Sequence, residues 1–257
     1  MRVVRIETAA EGVRALVLDR PPVNALGREL VHDLLTACEM LQGDRDARCV
    51  LVRSAGKHFC AGADLKERQG MTLDEVRAFV PRLAAVCNGL AALPMPTIAA
   101  VNGTAAGGGC EVALGCDLRI LAEDATIGLR ETALAILPGA GGTQRLPRLV
   151  GPAIAKRWIF TGKMHTAAEA LADGVAQQVV PAAVLEGAAL DLARTIAANG
   201  PVAVRLAKRA IDGGADLSLD RALALEWDCY QGVLGTEDRV EALAAFAEKR
   251  PPKFSGR

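Results

Sequence analysis

Two glutamates in glycine-rich surroundings are the residues of this sequence best suited to acid–base chemistry. Glu111 closes the run Asn102-Gly103-Thr104-Ala105-Ala106-Gly107-Gly108-Gly109-Cys110-Glu111, and Glu131 follows Ile127-Gly128-Leu129-Arg130. Two carboxyl groups brought together divide labour, because crowding raises one pKa and leaves an acid beside a base. A glycine run that opens a helix exposes the N–H groups of its first turn, where the helix dipole adds positive potential. A third segment, Phe59-Cys60-Ala61-Gly62-Ala63-Asp64-Leu65, is small enough for backbone N–H groups to approach an anion. A fourth, Leu137-Pro138-Gly139-Ala140-Gly141-Gly142-Thr143, has the look of a phosphate cradle but lacks the accompanying lysine. Taken singly, each has an ordinary reading: a dipole-stabilising acid, a surface or capping acid, a tight turn.

The elements that must position these segments alternate between strand and helix. Strands are predicted over 3–8 and 13–18, with a turn between them, then over 49–53, 97–101 and 118–122. Helices are predicted over 28–42, with Leu30, Leu34, Leu35, Cys38 and Leu41 on one face, and over 73–93, ending at Pro94. Asn102-Gly103 leads into a further helix, and Glu131 is expected in a loop. The strand–strand–helix recurrence predicts an α/β protein of stacked turns rather than a doubly wound sheet. From about 188 onward the pattern is helical, broken at Gly213-Gly214 and ended by Pro251-Pro252. The expected division is a core over 1–190 and a helical region over 191–257 that caps a site or mediates assembly.

Composition narrows the class. Hydrophobic residues make up 51% of the 257 residues and aromatics only 3%, so Ala, Val and Leu must fill the core. Thirty basic residues balance thirty acidic ones, which argues against nucleic-acid or anionic-membrane partners. Seven cysteines at 38, 49, 60, 87, 110, 116 and 229 form no Cys-x-x-Cys pair, and only three histidines accompany them. Reduced core thiols and no metal are expected. The charged N-terminus does not read as a signal peptide, and a cytoplasmic protein is expected.

The order and spacing of the glycine segments and the two glutamates resemble the crotonase superfamily, the enoyl-CoA hydratase/isomerase family. The resemblance runs from Arg20-Pro21-Pro22-Val23-Asn24-Ala25-Leu26 to Phe246-Ala247-Glu248-Lys249-Arg250. It is greatest for the methylglutaconyl-CoA hydratase-like branch, in Ala63-Asp64-Leu65-Lys66-Glu67-Arg68 and in the stretch from Leu137 to Arg148. The resemblance implies a crotonase-like spiral with a C-terminal helical region, and hydration of an enoyl-CoA thioester. Double-bond isomerisation is the alternative. It implies an oxyanion hole from the backbone N–H groups of Ala63 and Gly108, with Glu111 as the base that activates water and Glu131 as the acid that protonates carbon. Gly139 would contact the acyl end or the water. Coenzyme A, carried in as the thioester with no resident cofactor, would lie along Ala61, Asp64, Leu65 and Lys66, flanked by Val23 and Ala25. Tyr230 and Lys249 would reach it from the same or a neighbouring subunit of a homotrimer or dimer of trimers.

One member of that branch binds AU-rich RNA through a lysine-rich helix. The corresponding stretch here, 28–53, has no lysine, and Arg28, Arg45, Arg48 and Arg53 are offset by five acids, so no RNA partner is expected. Ala133, Leu134, Ala135 and Ile136 read as an apolar acyl pocket, and Arg130 could meet a distal carboxylate. Neither names the acyl group.

Overall fold

A computed structural model describes residues 1–257. The chain begins as an antiparallel hairpin of β1 (Val4–Ala10) and β2 (Val13–Leu18). A register shift between Thr8 and Ala10 lets β1 run beyond the strand predicted over 3–8. α1 (Arg28–Gly43) buries Leu30, Leu34, Cys38 and Leu41, the face its spacing predicts. After β3 (Cys49–Ser54) come α2 (Leu65–Gln69), α3 (Leu73–Ala91) and β4 (Thr97–Val101). α3 opens with a reciprocal capping box between Thr72 and Glu75. It ends before the predicted residue 93, where the Ala92 N–H closes on the Asn88 and Leu90 carbonyls, because Pro94 biases the residue before it away from helix.

The next stretch departs from the predicted strand-to-helix step. β5 (Thr104–Ala106) intervenes before α4 (Gly108–Leu114). Then follow β6 (Leu118–Ala122), β7 (Thr126–Gly128) and a 3-10 turn (Glu131–Leu134), so Glu131 opens a helical turn rather than lying in a loop. α5 (Gly142–Val150), α6 (Pro152–Thr161), β8 (His165–Thr166), α7 (Ala167–Ala172) and β9 (Gln178–Val180) complete the sheets. The chain finishes with α8 (Leu185–Ala197), α9 (Pro201–Gly214), α10 (Leu219–Leu234) and α11 (Glu237–Glu248).

The strands form a six-stranded sheet, β1-β2-β3-β4-β6-β9, parallel beyond the first hairpin, and a small sheet, β5-β7-β8. Successive turns of chain place one strand in the large sheet, one short stretch in the small one, and then a helical start. In this way Cys60 bridges Ala105, and Ala105 pairs with Ile127, in one parallel row. The segments after that row hold Ala63, Gly108 and Glu131. Stacking therefore superimposes three glycine-rich stretches that lie far apart in sequence.

The core is aliphatic, as the composition requires, and its largest fully buried side chain is Trp158. α8 packs across the large sheet with Leu185, Ala189, Ala193 and Ala197 buried. The expected boundary at 190/191 falls inside this helix, so the packed core extends to Ala197. No helix is long and apolar enough to cross a membrane.

Candidate active site

The first group of donors comes from two neighbouring turns. The Ala61 N–H donates to the Val23 carbonyl (3.0 Å), Leu26 N–H to Gly62 (2.7 Å) and Asp64 N–H to Leu26 (3.2 Å). This ladder uses the amides on either side of Ala63 and leaves its own N–H without an acceptor in the chain. Gly108 is the first residue of α4, where no helical carbonyl is available, and its N–H is likewise unused. A Cβ added at Gly108 would lie 3.8 Å from the Ala63 nitrogen, so the two donors are neighbours. Both are backbone groups on packed segments, as a preorganised oxyanion site requires.

Glu111, one turn into α4, is buried, with its side chain fixed by the fourth glycine-rich segment. Its Oε1 accepts from the N–H groups of Ala140 (2.7 Å) and Gly142 (2.8 Å), at the start of α5. Burial pushes its pKa up, while those two amides and the Arg145 charge pull it back toward the ionised form. Glu131 is also buried but differently held. Its Oε2 has no hydrogen-bond partner, and burial together with the charge of Glu111 pushes its pKa to about 7. The left-handed residue Gly107 (φ 52°) lies against this carboxyl: an added Cβ would sit 2.9 Å from Glu131 Oε1. The pair thus consists of a carboxylate held by two neighbouring amides and a carboxyl with one buried, unpartnered oxygen, which is the arrangement that separates a base from an acid.

The other end of α4 is secured by Arg119, which is buried without a carboxylate partner. Its guanidinium donates to the carbonyls of Cys116 (2.7 Å), Ala113 (3.3 Å) and Val175 (2.7 Å). A cation at a helix C-terminus complements the dipole that favours negative charge at Gly108.

A family model described as enoyl-CoA hydratase/isomerase matches residues 8–257. The chain belongs to the enoyl-CoA hydratase/isomerase family. Among its relatives is a probable enoyl-CoA hydratase 2, mitochondrial, of Arabidopsis thaliana, 46% identical over 98% of this chain and 84% of the relative. The methylglutaconyl-CoA hydratase, mitochondrial, of Rattus norvegicus is 45% identical over 100% of this chain and 83% of that one. The crystal structure of an enoyl-CoA hydratase from Bacillus anthracis superimposes with a TM-score of 0.97 at 45% identity, covering 99% of this chain and all of that one.

Membership of this family corrects one expectation. The Arabidopsis and rat relatives are named mitochondrial proteins, against the cytoplasmic location read from the N-terminus and the thiols. Buried, reduced cysteines suit any reducing compartment, so they could not carry that inference. All seven are free and buried, and burial raises Cys38, Cys49, Cys60 and Cys116 to about 12. No group of three or more potential metal ligands gathers anywhere.

For an enoyl-CoA hydratase/isomerase family member, the remaining predicted residues divide into two sets. The Val23 carbonyl accepts from the Ala61 N–H, Ala25 and Asp64 share the Arg20 guanidinium, and Leu65 and Lys66 are exposed at the start of α2. Gly139 is exposed next to the turn that holds Glu111, but the amides that reach the carboxylate belong to Ala140 and Gly142. Tyr230 is exposed on α10, stacked on Trp227 with ring centroids 6.0 Å apart, and Lys249 is the exposed, left-handed residue that ends α11. Neither side chain bonds to the residues around Ala63 or Glu111. Reading the sequence missed Arg20, whose guanidinium joins the Ala25 carbonyl (2.8 Å), Asp64 (2.8 Å) and Glu67 (3.0 Å) and so clamps the loop before α1 to the start of α2. Its place directly before Pro21-Pro22 was the available signal. Of the arginines weighed for RNA, Arg28 pairs with Glu75 and Arg53 with Glu7, while Arg48 donates to the Ala197 and Phe254 carbonyls.

Proposed function

We propose that this chain adds water across the 2,3 double bond of an enoyl-CoA thioester. The observation that carries the reading is the unequal support of the two buried carboxyls: Glu111 Oε1 accepts from two amides, while Glu131 keeps a buried Oε2 with no partner. The thioester oxygen rests against the N–H groups of Ala63 and Gly108. Glu111, ionised, takes a proton from water as the hydroxyl oxygen bonds to C3, and the displaced π electrons place negative charge on the thioester oxygen. Glu131, neutral, then delivers its proton to C2 as that charge returns. The proton gained by Glu111 equals the one lost by Glu131, so exchange between them restores the site and the net change is one water added.

The thioester's coenzyme A runs along Ala61, Asp64, Leu65 and Lys66 with Val23 and Ala25 on its other side, and Gly139 faces the acyl end. No resident cofactor takes part. The assembly is a homotrimer or dimer of trimers, a reading supported by a solvent-facing apolar stripe on α10, and Tyr230 on that stripe and Lys249 at the end of α11 serve CoA of the same or a neighbouring subunit. Within this reaction class, methylglutaconyl-CoA is one acyl group to be tested among several. Kinetics across straight, branched and carboxylated 2-enoyl-CoAs, set against isomerisation of 3-enoyl-CoAs, test the proposal. Hydration of at least one short 2-enoyl-CoA is expected, and undetectable hydration of all of them would overturn it.

A further inference from the structure

The reaction written above leaves unused a cation that stands directly behind Glu111. Arg145, half-buried on α5, donates from Nη1 to the Ala140 carbonyl (3.1 Å) and from Nη2 to Asn88 Oδ1 on α3 (2.7 Å). The peptide on the other side of Ala140 gives its N–H to Glu111. Gly141, left-handed at φ 107°, lies under the guanidinium, and a Cβ there would collide with Arg145 Nη1. Arg145 forms no ion pair, unlike Arg20, Arg53 and Arg148, which each meet a carboxylate. Its charge is therefore not spent on a surface acid. We propose that Arg145, held by Asn88, is a positioning residue that fixes the 140–142 turn so that two amides converge on Glu111, with a positive charge behind it. The inference rests on the reading of Glu111 as the base of the hydration.

Two physical effects act together here. A guanidinium that grips both a carbonyl and a side chain of another helix immobilises the turn between them, and its planar fork loses little entropy in doing so. The same charge helps hold Glu111 in the ionised form against burial. A base acts only when ionised, so removing Arg145 raises the Glu111 pKa and moves the acid limb of kcat to higher pH. Arg145 reaches Glu111 only through the turn, and in the reaction above it touches no part of the substrate. KM should hold.

Variants R145Q, R145K and N88A, assayed with crotonyl-CoA over a pH series, test this. Asn88 is exposed, so N88A preserves packing. R145Q should lose about tenfold in kcat with KM within about twofold, and its acid limb should move up by roughly half to one pH unit. R145K should restore the acid limb while recovering only part of kcat, because one ammonium cannot bridge both partners. N88A should show a smaller change of the same kind. An R145Q acid limb that coincides with wild type, or a loss confined to KM, would overturn the proposal. Infrared titration of the Glu111 carboxyl, with E111Q as the subtraction control, needs no turnover. Absence of hydration in the wild type would sink the hydratase reading alone. In that case a shifted Glu111 titration in R145Q still upholds the role of Arg145, and an unshifted one removes it.

Discussion

Glu131 is a carboxyl whose burial suits catalysis and opposes stability. Its pKa rises from 4.5 to about 7 in the fold, first through desolvation and then through the charge of Glu111. The native state therefore binds this proton more tightly than the unfolded chain does. Its contribution to stability is full below about pH 4.5 and is lost as pH rises through about 7. Glu131→Gln removes the ionisation while keeping the shape. It should match the wild type in acid and exceed it above about pH 8, by up to roughly 3 kcal/mol, in chemical denaturation at the two pH values. Equal stability of the two proteins at high pH would show that Glu131 does not titrate in this window. The same substitution should reduce kcat by about 10²–10⁴, since no neutral acid then remains to protonate C2. In the wild type, kcat/KM should fall on the alkaline side with an apparent pKa of about 7, a value belonging to the coupled pair.

At the scale of the element, α4 concentrates the chemistry within two turns: an unused N–H at Gly108, a carboxylate at Glu111 and a buried cation behind its last carbonyls. Gly108 occupies the first helical position, where proline is tolerated because the missing N–H has no helical partner. Gly108→Pro should therefore delete one oxyanion donor at little cost to the helix, with Leu26 Cδ1 shifting aside, and should lower kcat by about 10²–10³. A folded variant of undiminished kcat would remove Gly108 from the oxyanion site. Arg119→Met tests the opposite end. It takes the side-chain donor from the Cys116 carbonyl and one of several donors from those of Ala113 and Val175, and should cost about 1–3 kcal/mol in urea denaturation. The elements themselves show what local sequence records. β4 and β6, apolar but for Thr97 and Arg119, were legible to the residue, as was the buried face of α1. β5 was not, because the three residues Thr104–Ala106 are too few to display a period. The row through Cys60, Ala105 and Ile127 leaves no mark on any one segment, since parallel partners meet only after a long crossover. For that reason the candidate residues were legible as types in a family order, while the amides of Ala140 and Gly142 showed only the look of a phosphate cradle without its lysine. Only the stacked turns reveal that the anion they hold is Glu111.

At the scale of the whole molecule, the last two helices leave large apolar residues exposed. Leu219, Leu223, Trp227, Tyr230 and Leu234 recur along α10 at helical spacing, and all are at least 40% exposed. Val240, Leu243 and Phe246 are also exposed on α11, Phe246 to 86%. A helix keeps one such stripe in order to bury it, and contiguous apolar surface on this scale marks an interaction site. α10 already packs on α9 through its other face, so the stripe is what remains to be covered. A second copy of the chain meets that need with closed symmetry and no further partner. Sedimentation of the wild type should accordingly give the mass of a trimer or of a multiple of three. Trp227→Glu, which places a charge in the middle of the stripe, should shift the population to monomers while the core, closed by Ala197, stays folded. Activity then separates two roles for the face. If Tyr230 and Lys249 serve CoA across the boundary, the dissociated variant should show a KM for enoyl-CoA raised by about tenfold with kcat less affected, because ground-state binding is what it loses. Monomers with wild-type KM would confine both residues to assembly, and a monomeric wild type would leave the stripe without its proposed occupant.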